Sequence, residues 1–272
     1  MESTTTAVRP VKPAAPYLGG KRNLARRLCQ LIDTIPHRTY VEPFVGMGGI
    51  FLRRSRRPAA EVINDISGDV ATLYRVLQEH YPYFIDMLRW RITSRAEFER
   101  LQALPGERLT DLQRAARFLY LQRLAFGGKV TGRNFGVDRR TAGRFDVTKL
   151  EPLLADLNER LAGVIVEQLP YQDLIRRYDG PKTLFYLDPP YWGCEDDYGT
   201  GTFERADFER LAEQLAGIAG QFILSINDTP GAREVFGQFR FEEVETTYTI
   251  ATKHCGAGQR VGELVVTNMP AA

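Results

Sequence analysis

The sequence predicts an α/β protein: a doubly wound, mostly parallel sheet of seven strands, with a mainly helical subdomain inserted into it. Three observations carry that expectation. Short β-rich runs alternate with helical patterns along the 272 residues. Two of the runs, LFYL at 184–187 and FILSI at 222–226, are almost continuously apolar, as strands covered on both faces are. Polar or glycine-rich residues follow the ends of the runs, where open α/β sheets bind their ligands.

In chain order the expected strands are Thr39 to Val45, Glu61 to Ile66, Val164 to Leu169, Thr183 to Leu187, Gln221 to Ile226, Phe241 to Ala251 and Gly262 to Thr267. Helical patterns run from Lys21 to Ile32, Asp207 to Ile218 and Ala232 to Phe236. No helix separates the last two strands. A hairpin through residues 253–260 would join them and add antiparallel strands at one side of the sheet. Between residues 67 and 149 the alternation stops. Helices at Val70 to Glu79, Ala96 to Leu104 and Leu112 to Leu124 lead into a loop rich in Gly and Arg. The expected division is a loose tail over residues 1–15, a sheet domain over 16–66 and 150–272, and an insert over 67–149. The tail is rich in Thr, Ala and Pro and has no apolar core of a signal peptide.

Composition narrows the function. With 43% hydrophobic residues the chain can bury a substantial core, and its net charge of +2 names no partner. Cys29, Cys194 and Cys255 lie far apart with no CxxC pair, and His37, His80 and His254 form no HExxH pattern. The reading is a reducing cytoplasm, no disulfide framework and no metal site. No run approaches the roughly 18 apolar residues a membrane span needs.

Four motifs carry chemistry. Asp188-Pro189-Pro190-Tyr191 follows an apolar strand and would project into the crevice at its end. Two prolines stiffen the turn and remove two amide donors, leaving carbonyls free. Asp188 and the Pro189 carbonyl are acceptors, and Tyr191 is a flat stacking surface. That set suits an aromatic amine, whose lone pair is delocalised into its ring. Two acceptors on the amino hydrogens would localise the pair and aim it at an electrophilic methyl group, so alignment does much of the catalysis. Glu42-Pro43-Phe44-Val45-Gly46-Met47-Gly48-Gly49 follows the first strand. Its glycines let a ligand approach the backbone, and its GxGG spacing matches neither GxGxxG nor a P-loop. An ordinary tight turn fits the same residues. Asp65 ends the second strand, where a carboxylate can accept ribose hydroxyls or cap the next helix. Tyr17-Leu18-Gly19-Gly20-Lys21 supplies a turn and a cation.

Together, and in this order, the four motifs resemble the Dam-type (D12 class, alpha-group) family of DNA adenine-N6 methyltransferases from about Pro16 to Asn268. Further similar stretches are LYLQRLAFGGK at 119–129, GRFDV at 143–147 and LSINDT at 224–229, followed by Arg233-Glu234. The resemblance implies a Rossmann-like S-adenosylmethionine methyltransferase fold, a site-specific adenine-N6 enzyme, and S-adenosylmethionine as cofactor without a metal. Tyr17, Lys21, Glu42, Phe44, Gly46, Gly48, Asp65, Asp173 and Asp188 would form the cofactor site. Lys21 and the Gly46/Gly48 loop would lie along its methionine part, Asp65 at its ribose, Phe44 beside it, and Asp173 near its adenine ring. Asp188, Pro189, Pro190 and Tyr191 would form the catalytic corner around a base flipped out of double-stranded DNA.

The insert supports such a partner. Residues 108–149 hold ten Lys or Arg against three Asp, a local excess above that of the whole chain. Arg123, Lys129, Arg133, Asn134, Arg139, Arg140 and Arg144 are the candidate DNA-contacting residues; a solvated face is the plainer reading of such a run. Arg53-Arg54-Ser55-Arg56-Arg57 is a second basic cluster, suited to phosphate or to helix-end solvation. Family members that read GATC carry an Asn-Gly-Leu type segment where this chain has Gly127-Gly128-Lys129, so the resemblance implies the adenine chemistry and leaves the recognition sequence open. Cytosine N4, RNA adenine or a glutamine amide are other planar amines the corner would suit. A catalytically silent DNA-binding homologue would keep the fold, and a dehydrogenase lacks its GxGxxG here. A cytoplasmic monomer or weak dimer is expected.

Overall fold

The computed structural model describes residues 5–136, 140, 142–199, 201–247 and 260–269. Its strands are β1 (Thr6–Ala7), β2 (Thr39–Glu42), β3 (Arg56–Arg57), β4 (Ala60–Asn64), β5 (Ile165–Glu167), β6 (Thr183–Leu187), β7 (Gln221–Asn227), β8 (Arg240–Thr247) and β9 (Arg260–Thr267). Its α-helices are α1 (Ala25–Thr34), α2 (Gly68–Glu79), α3 (Tyr81–Arg89), α4 (Arg95–Ala103), α5 (Asp111–Leu124), α6 (Val147–Leu161), α7 (Tyr171–Tyr178), α8 (Arg205–Ala216) and α9 (Pro230–Val235).

All seven expected strands join one sheet in the order β5-β4-β2-β6-β7-β9-β8. The first five are parallel; β9 runs antiparallel to both β7 and β8. This is a doubly wound, Rossmann-like arrangement. The chain builds outward from β2 through β4 to β5, then returns to place β6 on the other side of β2. That reversal is the topological switch point, where the crevice of a doubly wound sheet opens. Every residue of β6 is buried. Leu184 and Tyr186 enter one core layer, and Phe185 and Leu187 enter the other, as alternation across a strand requires. Helices cover both faces, which explains the unbroken apolar run.

Three expectations change. Residues 5–15 do not form a loose tail. β1 pairs with β3, Val8 donates to the Ser55 carbonyl (2.9 Å), Val11 donates to the Leu52 carbonyl (2.7 Å), and Val11, Ala14 and Ala15 are buried. Main-chain hydrogen bonds and small apolar side chains hold the segment despite its polar composition. The insert does not end at 149, because α6 starts at Val147 and runs on to Leu161. Nor does the insert have its own core: Leu73, Phe84, Phe118 and Leu150 belong to the same apolar cluster as Tyr40 and Tyr186 of the sheet. Finally, the basic cluster at 53–57 is split: Arg56 is exposed, Arg53 and Arg57 are half-buried, and Arg54 is internal. Arg54 is fully buried and pairs with Glu61 at 2.9 Å, and Arg160 of α6 reaches the same carboxylate at 2.7 Å. The Arg54 guanidinium stacks 3.7 Å from the Tyr40 ring centre, and that of Arg160 lies 4.0 Å from Phe51.

Candidate active site

Adjacency of β2 and β6, with Val41 opposite Phe185, sets the glycine turn and the Asp-Pro-Pro-Tyr corner side by side. Asn64 ties the neighbouring loops together. Its amide donates to the carbonyls of Pro43 (2.9 Å) and Leu169 (3.1 Å) and accepts from the Leu169 N–H (2.8 Å). Tyr17, Lys21, Glu42, Phe44, Gly46, Asp65 and Asp188 all line one cavity of about 680 Å³.

Gly46 makes the turn possible. Its φ is +49°, and a side chain there would meet the Tyr17 ring at 2.7 Å. The Gly46 N–H donates to Asp65 Oδ2 and the Ser67 N–H to Asp65 Oδ1, each at 2.9 Å. Asp65 therefore pins the β2 turn to the end of β4. Burial raises its pKa to about 6, and the two amides hold it back. Phe44 packs 5.5 Å from Tyr171 and 5.9 Å from Phe203, ring centre to ring centre. Tyr198 packs on Tyr17 at 5.8 Å and donates to the Leu18 carbonyl at 2.9 Å, which fastens the Gly19-Gly20 turn. Phe203 and Tyr198 also line the cavity; both lie beyond the corner, in a stretch with no motif of its own.

A buried charge cluster lies under the corner. The Lys21 ammonium, almost inaccessible to solvent, sits 3.0 Å from Asp188 Oδ1, donates to the Tyr191 hydroxyl at 2.7 Å, and pairs with Glu263 of β9. It lies 4.2 Å from the Tyr191 ring centre. The Tyr191 hydroxyl donates to Glu263 Oε2 at 3.2 Å. Tyr186 and Ser225 hydroxyls share a hydrogen bond at 2.8 Å, and Ser225 reaches Asp188 Oδ1 at 3.5 Å. Burial pushes Asp188 up to about 6; Lys21 pulls it down and Glu263 adds to the rise. Burial raises Glu42 further, to about 8, against the hydrogen bond it accepts from Tyr40 at 2.8 Å. Trp192 is clamped by Asn227, whose side chain accepts from the Trp192 N–H (2.8 Å) and donates to its carbonyl (3.1 Å). Glu263, Trp192 and Asn227 took no role in the motifs. Asn227 stands in the family-like stretch at 224–229 with no role of its own, and Glu263 is one acid in an apolar strand.

Not every expected residue comes to the cavity. Gly48 faces inward, where an added side chain would meet Leu52 and the Tyr74 hydroxyl at 2.8 Å. Asp173 sits in the first turn of α7, half exposed, paired with Arg176 of the same helix and outside the cavity lining. Pro189 and Tyr191 back the corner without lining the cavity, whereas Pro190 lines it.

A family model described as D12 class N6 adenine-specific DNA methyltransferase matches residues 17–250. The chain belongs to that family. This methyltransferase transfers a methyl group to N6 of adenine in DNA. It is 26% identical to the type II methyltransferase M1.LlaDCHI of Lactococcus lactis subsp. cremoris, over 95% of each chain. It is 24% identical to the type II methyltransferase M.CviBI of Paramecium bursaria Chlorella virus NC1A, over 94% of this chain and 97% of the other. The DNA adenine methylase of Escherichia coli (strain K12) matches at 25% identity over 85% of this chain and 86% of its own.

In the methyltransferase's insert the basic residues divide. Arg123 points inward. It donates to the Ala14 carbonyl at 2.6 Å and twice to the Arg144 carbonyl, at 3.2 and 3.0 Å, fastening the N-terminal segment to the insert loop. Arg133 is also turned in, donating to Gln122 Oε1 at 3.2 Å beside Phe118, and burial lowers its pKa. Arg114 and Arg117 pair with Asp69, and Lys149 pairs with Asp146. Lys129, Asn134, Arg140 and Arg144 are exposed. Arg139 lies outside the described residues. Among the described residues, no group of three or more His, Cys, Asp or Glu could hold a metal ion, and no helix is long and apolar enough to cross a membrane.

Proposed function

We propose that this is a site-specific adenine methyltransferase whose cavity takes S-adenosylmethionine and whose Asp188–Tyr191 corner takes an adenine flipped out of double-stranded DNA. The observation that carries this reading is the single cavity shared by the Gly46 turn, Asp65 and Asp188. The residues suit the cofactor. A carboxylate has about four acceptor positions; two of those on Asp65 hold backbone amides, which leaves positions for a pair of ribose hydroxyls. Phe44 and Phe203 offer flat apolar surface to a purine. Asp188 gives the cavity a negative side, favourable to a sulfonium cation. When bound, the cofactor supplies an electrophilic methyl group.

The chain's own residues do the rest. Asp188 accepts one amino hydrogen of the adenine and the Pro189 carbonyl accepts the other. These contacts localise the nitrogen lone pair and hold it in line, so no base need remove a proton before attack. The two consecutive prolines keep the acceptors from swinging away. Tyr191 stacks on the base. Lys129, Asn134, Arg140 and Arg144 of the insert meet the DNA, by phosphate contacts that position and base contacts that specify. We infer a cytoplasmic protein.

Asp188→Ala tests the reading. Mass analysis of nucleosides from treated DNA should show no N6-methyladenine, while S-adenosylhomocysteine still binds and the melting temperature is kept. Parental methylation by this variant would end the catalytic assignment.

A further inference from the structure

β9 lies between β7 and β8, with Glu263 opposite Asn227 on one side and Val244 on the other. A glutamate in the middle of a sheet, with a fully buried side chain, is costly unless its charge is matched and its oxygens are hydrogen-bonded. Glu263 meets both conditions. One oxygen takes the Lys21 ammonium and the other accepts the Tyr191 hydroxyl at 3.2 Å. The same ammonium stands 3.0 Å from Asp188 Oδ1 and donates to the Tyr191 hydroxyl at 2.7 Å. Two carboxylates thus divide one cation, and the catalytic corner supplies one of them.

That division has a chemical consequence. Asp188 is a strong acceptor for an amino hydrogen only while its charge is not drawn wholly to Lys21. A second carboxylate on the same ammonium keeps it from closing on Asp188, and it holds the Tyr191 hydroxyl in place as well. We propose that Glu263 is a positioning residue for methyl transfer: it takes up the Lys21 charge and the Tyr191 hydroxyl, and so leaves Asp188 free to accept from the target base. This rests on the acceptor role given to Asp188 above.

Glu263→Gln keeps the side-chain volume and removes the charge. Steady-state kcat and KM for cofactor and DNA, S-adenosylhomocysteine affinity by calorimetry, and melting temperature are measured for this variant, for Tyr191→Phe and for Asp188→Ala. Glu263→Gln should lower kcat roughly 10- to 100-fold, the scale of one charge-assisted hydrogen bond, with both KM values and the product affinity unmoved. A kcat within about 3-fold of the parent overturns the proposal. So does a parallel collapse of kcat, product affinity and melting temperature, which would make Glu263 a structural ion-pair partner. Should Glu263→Gln fail to fold, Tyr191→Phe reads the same arrangement from its other end. Losing the hydroxyl, whose hydrogen bonds run to charged partners, should cost about 10-fold or more in kcat, and a parental kcat overturns the proposal. Asp188→Ala separates the two ideas: activity there removes the acceptor reading, whereas its loss beside a fully active Glu263→Gln removes only the role of Glu263.

Discussion

Gly46→Ala tests whether the cavity is shaped by the turn after β2. The backbone there has φ +49°, and an added Cβ would stand 2.7 Å from Tyr17 Cε1 and 2.9 Å from Cδ1. Left-handed backbone costs a residue with a side chain about 1–2 kcal/mol. Pushing a packed ring aside adds roughly 1–3 kcal/mol. The expected loss is therefore about 2–5 kcal/mol, and at roughly 2–4 °C per kcal/mol for domains approaching this size, melting falls by at least ~4 °C. The Gly46 N–H also holds Asp65 at 2.9 Å, so a displaced turn moves the carboxylate assigned to the cofactor ribose. Each ~1.4 kcal/mol of that disturbance weakens S-adenosylhomocysteine binding about tenfold. Gly132→Ala is the control, because Gly132 has φ +55° and no atom within 4 Å of the added carbon. It should show the backbone cost alone. Differential scanning calorimetry and isothermal titration on both variants read the two effects. If Gly46→Ala melts no lower than Gly132→Ala and binds the product as the parent does, the turn does not shape the site.

Glu42 gives a pH signature. Its carboxyl ionises near 4.5 in the unfolded chain and near 8 when buried, so between those values the folded state holds the extra proton. Its contribution is whole below about pH 4.5 and is lost as pH rises through about 8. Glu42→Gln should flatten the fall in melting temperature between acid and alkaline buffers, and an unchanged slope would refute the shift. Glu61→Gln removes the counter-charge of buried Arg54 and Arg160 and should destabilise by about 3–5 kcal/mol in urea titration; a loss below ~1 kcal/mol would show the arginines are compensated elsewhere. Asp173→Ala should leave S-adenosylhomocysteine affinity unchanged, since Asp173 pairs with Arg176 away from the cavity. A tenfold weakening would restore Asp173 to the site.

The amino-acid sequence alone determined the seven strands, the glycine turn, the Asp-Pro-Pro-Tyr corner and the family. Those are local matters: a strand covered on both faces must be apolar throughout, and a tight ligand-facing turn needs glycine or proline at fixed offsets. Helix α6 carries Pro152 inside it, which weakens the helical signal of its sequence. Tertiary structure decided what depends on distant partners. Composition made residues 5–15 look loose, yet backbone hydrogen bonds to residues 52–57 hold them, and such bonds leave no mark in side-chain patterning. The sequence offered Arg123 and Arg133 as DNA contacts; in the fold Arg123 donates to the Ala14 and Arg144 carbonyls, and one Arg133 nitrogen donates to Gln122. Glu263 stands 242 residues from Lys21, and only the insertion of β9 between β7 and β8 brings it beneath the corner. A charge states its sign in the sequence, but whether it faces water, a phosphate or a buried counter-ion is settled by which surfaces the chain packs together.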